Sequence, residues 1–369
     1  MQRNEILNWL QETDSTRLDD LWRLADQPRQ KFVGGEVHLR GLVELSNYCV
    51  RLCGYCGLRA GNLGLSRYRM TDDEVFECAR KAVEFGYGTV VLQAGEDPEL
   101  TSQRIAGLVR RIKADTLLAV TLSLGERDDD ELAIWREAGA DRYLLRFETS
   151  NRALYERIHP PRKKEAQGGR QECLPSGRQE CLPHRRMAIL AALARLGYEV
   201  GSGVMIGIPG QTYDDLADDI EWFGRLDLDM IGVGPYLPHP HTPLADRGAW
   251  PQAPDGQQVP ATEDMTYKVI ALARLVCPRA NIPATTALAT LNRQEGRELG
   301  LVRGANILMP NLTPTKYRAL YEIYPDKACI AETGEACHHC LTARIEALGR
   351  QPGQGRGDSP NHGTRLEIV

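Results

Sequence analysis

The chain opens on a helical period and then settles into a repeating alternation. Ile6, Leu7 and Leu10, then Leu18, Leu21, Trp22 and Ala25, recur at the spacing of one helix face. Residues 3–27 are therefore expected to form one or two helices, closed by Pro28. After Val33-Gly-Gly35 the period changes, and His38–Ser46 reads as a first strand. A long loop follows, to about Leu65. Thr71-Asp-Asp-Glu74 is a capping-box pattern and opens a helix with Val75, Phe76, Ala79, Ala82 and Val83 on one face. Cys78 in that helix reads as core. Gly86 and Gly88 end it, and Thr89–Gln93 is strand two.

The same unit repeats. Strands are expected near 117–124, 142–148, 199–207, 230–237, 282–288 and 306–310. Helices are expected at 99–114, 128–139, 187–197, 212–226, 262–276 and 293–303. The strands are near-continuous apolar runs, as in a parallel sheet covered on both faces. Eight strand–helix units point to an α/β chain folded as a (β/α)8 TIM barrel, with an open doubly wound sheet as the alternative.

This order divides the chain into an N-terminal helical cap (1–34), the barrel (35–312) and a C-terminal extension (313–369). One segment breaks the alternation. Gly169-Arg-Gln-Glu-Cys-Leu-Pro175 recurs letter for letter as Gly177–Pro183, too short for a folded repeat, so 162–184 reads as an inserted surface loop. Cys173 and Cys181 inside it have no ligand-rich surroundings. The tail from about 350 is rich in Gly, Pro, Arg and Asp and reads as a surface arm or partly disordered.

Composition narrows the function classes. A net charge of −5 and a pI near 6.0 argue against a general nucleic-acid binder. No signal-peptide core or membrane-length apolar run is present, so a cytoplasmic protein with no membrane contact is expected. Ten cysteines in such a chain read as reduced thiols or metal ligands.

The cysteines carry the chemistry. Cys49-Val-Arg-Leu-Cys-Gly-Tyr-Cys56 places three thiols in a C-x3-C-x2-C array directly after the first strand. Soft thiolates suit an iron–sulfur cluster. Three ligands on a four-iron cubane leave one iron open, as at a catalytic metal position. A zinc site would pair C-x2-C units and close with four ligands, and no fourth Cys or His lies nearby. A second group, Cys329-x7-Cys337-His-His-Cys340, can hold another iron–sulfur cluster or, with His338 or His339, zinc.

In a barrel of this kind the chemistry sits at the C-terminal ends of the strands. The exits here are polar: Gln93-Ala-Gly-Glu-Asp97, Ser123-Leu-Gly-Glu126, Arg146-Phe-Glu-Thr-Ser150, Met205–Gln211, Pro235–His241, Thr285-Thr286 and Met309-Pro-Asn311. The cysteine array with Tyr55 before its last thiol resembles the radical S-adenosylmethionine (radical SAM) signature. The order of the exits, with Tyr143-Leu-Leu-Arg-Phe-Glu-Thr149, Gly207-Ile-Pro-Gly-Gln-Thr212, Pro238–Leu244 and Asn281–Ala287, is similar to biotin-synthase-like enzymes of that superfamily, and among them to the maturases of FeFe-hydrogenase. The resemblance spans roughly residues 35–345.

That resemblance implies a role for each matching residue. Cys49, Cys53 and Cys56 would hold a 4Fe–4S cluster whose open iron takes the amino and carboxylate groups of S-adenosylmethionine. Gln93, Gly95 and Glu96 match the turn that receives the methionyl amino group. Glu148 matches a carboxylate near the ribose or amino group, and Arg186 an arginine at the SAM carboxylate. Gly207 and Pro209 match the adenine loop, with the Tyr55 backbone as the other adenine contact. Arg146, Thr285, Thr286 and Met309 would line the substrate pocket deeper in the barrel, with Tyr317, Tyr321 and Tyr324 as further candidates. Cys329, Cys337 and Cys340 would hold an accessory cluster. The implied function is reductive cleavage of SAM to a 5′-deoxyadenosyl radical for assembly of the di-iron subcluster and its dithiolate bridge. The implied partners are the maturases HydG and HydF and an electron donor such as ferredoxin or flavodoxin. Two other functions compete: a biotin-synthase-like or methylornithine-synthase-like enzyme on an organic substrate, and a non-enzymatic iron–sulfur carrier.

Overall fold

The computed structural model describes residues 1–161, 182–246, 248 and 250–362. The exact repeat around Cys173 and Cys181 lies outside the described residues, apart from its last two positions.

Two helices come first, α1 (Arg3–Gln11) and α2 (Ser15–Val33). The expectation that Pro28 closes this segment is corrected: Pro28 lies inside α2. A proline there removes one backbone hydrogen bond. Packing outweighs that loss, because Leu21 and Ala25 are fully buried and Arg29 bonds Asp26 at 2.5 Å and the Gly34 carbonyl at 2.7 Å.

The alternating part follows in order: β1 (Glu36–Ser46), α3 (Asp72–Glu84), β2 (Thr89–Ala94), α4 (Ser102–Asp115), β3 (Ala119–Ser123), α5 (Asp129–Glu137), β4 (Arg142–Leu144), α6 (Arg152–Ile158), α7 (Arg185–Arg195) and β5 (Glu199–Ser202). Then come β6 (Met205–Ile206), α8 (Tyr213–Arg225), β7 (Met230–Ile231), β8 (Gly234–Pro235), α9 (Glu263–Val276), α10 (Thr286–Leu291), α11 (Gly296–Val302) and β9 (Ile307–Leu308). The extension holds α12 (Thr315–Arg318), α13 (Gly334–Ala347) and β10 (Gln351–Pro352). Capping boxes at Thr71 and Thr212 start α3 and α8.

All pairings in the main sheet are parallel, in the order β1-β2-β3-β4-β5-β7. The circuit then returns to its start. Met230 bridges Asn281, Pro283 bridges Ile307, and β9 pairs β1 at His38↔Ile307 and Leu39↔Leu308. The expected parallel α/β barrel forms as a partial barrel among the described residues, with single bridges rather than full ladders across its last quarter.

Two late elements differ from expectation. The strand expected to run through residue 288 ends earlier: Thr285 is already the N-cap of α10, and Ala287, Leu288 and Ala289 bury its inner face. Ala and Leu favour a helix, and the paired threonines masked that change of period. As far as residue 359 the tail is not a loose arm. Residues 351–359 lie under the N-terminal end of the barrel, where β10 pairs Glu36 and Val37.

The reason lies in the charges that the strand starts bury there. Arg40 and Arg142 are each 1% exposed. Arg142 pairs with Glu199 at 2.8 Å and donates to Thr89 Oγ1 at 2.9 Å and to the Arg356 carbonyl at 3.1 Å. Arg40 donates to the Gly357 carbonyl at 2.9 Å, and Asn281 to the same oxygen at 3.0 Å. The tail supplies acceptors that the buried guanidinium groups require.

Candidate active site

The loop between β1 and α3 has no ladder to satisfy its backbone, so side chains do it. Asn47 donates to the carbonyls of Ser66 (2.8 Å) and Leu320 (2.7 Å) and accepts from Tyr68 N–H at 2.7 Å. Arg67 binds the carbonyls of Asn47, Leu58, Arg59 and Asn62, and Arg59 binds those of Cys53 and Leu52. Backbone N–H groups of the loop that reach outside it fix it at the C-terminal mouth of the barrel. Val50 N–H bonds the Glu96 carbonyl (3.0 Å), Gly54 N–H the Ile158 carbonyl (2.7 Å) and Gly57 N–H the Ile323 carbonyl (3.0 Å).

Cys49, Cys53 and Cys56 are free thiols on this loop, buried or half-buried. Burial pushes all three pKa values up, Cys53 to about 12, and Cys49 and Cys53 each raise the pKa of Cys56 further. Such a trio ionises only beside strong positive charge, which a cluster of irons supplies. No three His, Cys, Asp or Glu side chains among the described residues stand close enough to hold a single metal ion. Three thiols are the donor chemistry that an iron–sulfur cluster takes, so the residues present fit one.

The strand exits surround this loop. Gly95, just after β2, lies tight against the loop: a Cβ there would stand 2.3 Å from the Tyr48 carbonyl oxygen and 2.7 Å from Cys49 Cβ. Gln93 donates to the Tyr321 hydroxyl at 3.2 Å. Glu96 is 7% exposed, accepts from Glu126 N–H at 3.0 Å and lies 3.7 Å from Arg51. Burial raises its pKa.

Glu148 sits after β4 with φ +67°, a left-handed conformation rare for a non-glycine residue. Gly203 and Met205 hold it there, by Glu148 N–H to the Gly203 carbonyl and Met205 N–H to the Glu148 carbonyl, each at 3.1 Å. Strain of this kind gathers at functional sites. The Tyr55 hydroxyl has one proton for two acceptors, His159 Nε2 at 3.0 Å and Glu148 Oε1 at 3.4 Å. His159 Nδ1 faces the Tyr155 carbonyl at 3.2 Å, so Nδ1 carries the proton and Nε2 accepts. Glu148 Oε2 lies 3.0 Å from Arg146 Nη2. Glu148 Oε2 and Arg146 Nε are nonetheless buried without a hydrogen bond among the described residues, which suits a polar ligand.

Arg186, in the first turn of α7, is 7% exposed. Its Nε donates to Glu126 Oε1 at 3.0 Å and its Nη1 to the Arg146 carbonyl at 2.9 Å. Gly207 has φ +79°, and a Cβ there would stand 2.5 Å from Ala261 Cα, so only glycine fits. Gln211, fully buried, accepts from Gly207 N–H at 2.7 Å and donates to Asp219 at 3.3 Å, which sets the turn around buried Pro209.

The deeper residues sort differently. Thr285 donates to the Val233 carbonyl at 3.2 Å, Thr286 begins α10, and Met309 is half-buried. The alternation of a strand therefore does not decide which threonine faces inward. Tyr317 stacks on Tyr68 and donates to Glu74 of α3, away from the barrel interior. Tyr321 is buried beside Gln93. In the extension, Arg297 donates to Cys329 at 3.7 Å, Cys337 is buried and Cys340 is exposed on α13.

Sequence reasoning missed Tyr155, His159 and Asp219, and quoted Arg51, Glu126 and Gln211 only as part of the cysteine array or of a strand exit. Arginines and histidines carry no fixed spacing, so only the fold brings them together. Gly125 is the one local signal for Glu126: its φ is +79°, and a Cβ there would stand 2.1 Å from Glu96 Cγ.

Among the described residues, no helix is long and apolar enough to cross a membrane. A family model described as Radical SAM superfamily matches residues 43–223. The chain is 45% identical over 337 residues to the [FeFe] hydrogenase maturase subunit HydE of Thermotoga maritima, covering 91% of this chain and 88% of that protein. It is 27% identical over 294 residues to 3-methylornithine synthase of Methanosarcina acetivorans, covering 79% and 74%. The crystal structure of methylornithine synthase (PylB) superposes with a TM-score of 0.74 at 22% identity, over 100% of this chain and 96% of that one, a likeness of fold. With its three thiols at the mouth of a parallel barrel, this chain belongs to the radical SAM superfamily and, within it, to the HydE maturases of FeFe-hydrogenase.

Proposed function

We propose that the chain acts in building the di-iron subcluster of FeFe-hydrogenase and its dithiolate bridge, with a cysteine-bound iron carbonyl cyanide complex from HydG as its substrate and HydF as the acceptor of its product. The single observation that supports this most is the convergence of Cys49, Cys53 and Cys56 with Arg186, Glu148 and the Gly207 turn at one mouth of the barrel. When bound by the three thiols, a 4Fe–4S cluster supplies the electron that cleaves SAM to methionine and a 5′-deoxyadenosyl radical.

The chain's own residues do the rest. Arg186 takes the SAM carboxylate, for which its planar fork is suited. The turn at Gln93, Gly95 and Glu96 takes the amino group. Glu148, held in its left-handed conformation, takes the ribose or amino group. Gly207, Pro209 and the Tyr55 backbone flank the adenine. Arg146, Thr285, Thr286 and Met309 face the substrate, inside a ring of strands that excludes water. Cys329, Cys337 and Cys340 hold an accessory cluster, an electron carrier such as ferredoxin or flavodoxin docks outside, and the setting is the cytoplasm.

Co-expression with HydG, HydF and an apo-hydrogenase tests the function. Hydrogen evolution that depends on this chain is expected. A maturation system that works equally well without it would refute the proposal, and conversion of an organic substrate by the purified chain would favour the methylornithine-synthase-like reading, which the 27% relative keeps in view.

A further inference from the structure

We propose that Glu126 is the positioning residue that aims Arg186 at the carboxylate of S-adenosylmethionine and ties that arm to the cysteine loop through Arg51. The proposal rests on the reading above, in which Arg186 receives the carboxylate.

Glu126 follows β3, and its side chain is 4% exposed. One oxygen, Oε1, takes three donors from three elements: Arg186 Nε of α7 at 3.0 Å, Arg51 Nη2 of the cysteine loop at 3.2 Å and the Tyr155 hydroxyl of α6 at 3.3 Å. Its backbone N–H reaches a fourth, donating to Glu96 Oε1 at 3.0 Å on the β2 exit. Gly125 makes this approach possible, since any side chain there would strike Glu96.

Two bonds fix the plane of the Arg186 guanidinium, Nε to Glu126 and Nη1 to the Arg146 carbonyl, and Nη2, which makes no hydrogen bond among the described residues, is left for a ligand. Without Glu126 only the Nη1 bond would remain, and the group would pivot about it. The other oxygen of Glu126, Oε2, lies 3.7 Å from Arg185 Nε, whose side chain is more than half exposed, so the buried arm is held through Oε1. A carboxylate present only to neutralise buried arginines would not need its reach; one that aims Arg186 would.

Glu126→Asp separates these roles, because it keeps the charge and shortens the arm by one methylene. Binding of SAM and of decarboxylated SAM is measured by anaerobic equilibrium dialysis on the reconstituted protein, with iron and sulfide content and thermal melts as controls. The variant is expected to bind SAM about tenfold more weakly, the size of a charge-assisted hydrogen bond, and the decarboxylated analogue within roughly twofold of wild type. Equal losses for both ligands, or no loss for either, would overturn the proposal. Wild-type protein that takes up iron yet binds both ligands equally would instead overturn the assignment of Arg186, and the proposal with it.

Discussion

Lys327 Nζ lies 2.5 Å from Glu44 Oε1 inside the barrel, although 283 residues separate them. Their side chains are 5% and 1% exposed. Glu44 also accepts from Asn311 at 3.0 Å, and Lys327 donates to the Tyr321 carbonyl at 3.2 Å. The pair thus fastens the C-terminal extension to the first strand, beside the Tyr321 hydroxyl that receives Gln93.

Breaking one side of this pair leaves a charge buried in the barrel. Lys327→Met is expected to lower the unfolding free energy by about 3–5 kcal/mol, and adding Glu44→Gln to restore much of it. Urea unfolding at neutral pH measures both. A single variant within experimental error of wild type would show that the pair does not hold the extension.

Gly207→Ala tests the adenine turn. The added Cβ would enter a left-handed backbone and stand 2.5 Å from Ala261 Cα. Backbone strain alone costs about 1–2 kcal/mol. A lower melting temperature and a larger SAM dissociation constant are expected together, and unchanged SAM binding would remove this turn from the site.

Gly88→Ala tests the tail. Its Cβ would stand 1.7 Å from the Gly355 carbonyl oxygen, so the segment under the barrel must shift. Limited proteolysis should cut the variant near residues 350–358 well before wild type. Equal cleavage rates would mean that the tail is held elsewhere.

Glu74 gives the pH dependence. A hydrogen bond from Lys316, then the Thr71 backbone N–H and the Tyr317 hydroxyl, outweigh the opposing effect of burial and hold its carboxyl down from 4.5 to about 2. The folded state therefore binds this proton less tightly than the unfolded chain. The resulting stability is full above pH 4.5 and fades as pH falls toward 2. Its side chain is 26% exposed, so solvent screening leaves about 1 kcal/mol. Glu74→Gln should be less stable than wild type at pH 6 and match it near pH 2. A gap that stays constant with pH would assign the effect to packing.

Much of this fold was legible because β1 to β3 are apolar runs bounded by capped helices, and period alone places them. The parts that were not legible depend on contacts distant in sequence. Pro28 stays in a helix because of packing that no local rule sees. The tail reads as an arm until the buried guanidinium groups of Arg40 and Arg142 show what it binds. The site divides in the same way. Cys49, Cys53 and Cys56 declare themselves by spacing, and Gly207 by its motif. Glu126, Arg51 and His159 matter only once three strand exits and a helix start meet at one mouth.

The central claim is that the first thiol trio supports reductive cleavage of SAM. The direct measurement is anaerobic turnover with dithionite, scoring methionine and 5′-deoxyadenosine, in wild type and in Cys53→Ala. Cleavage in wild type that disappears in the variant is the predicted result. Undiminished cleavage in Cys53→Ala would contradict it.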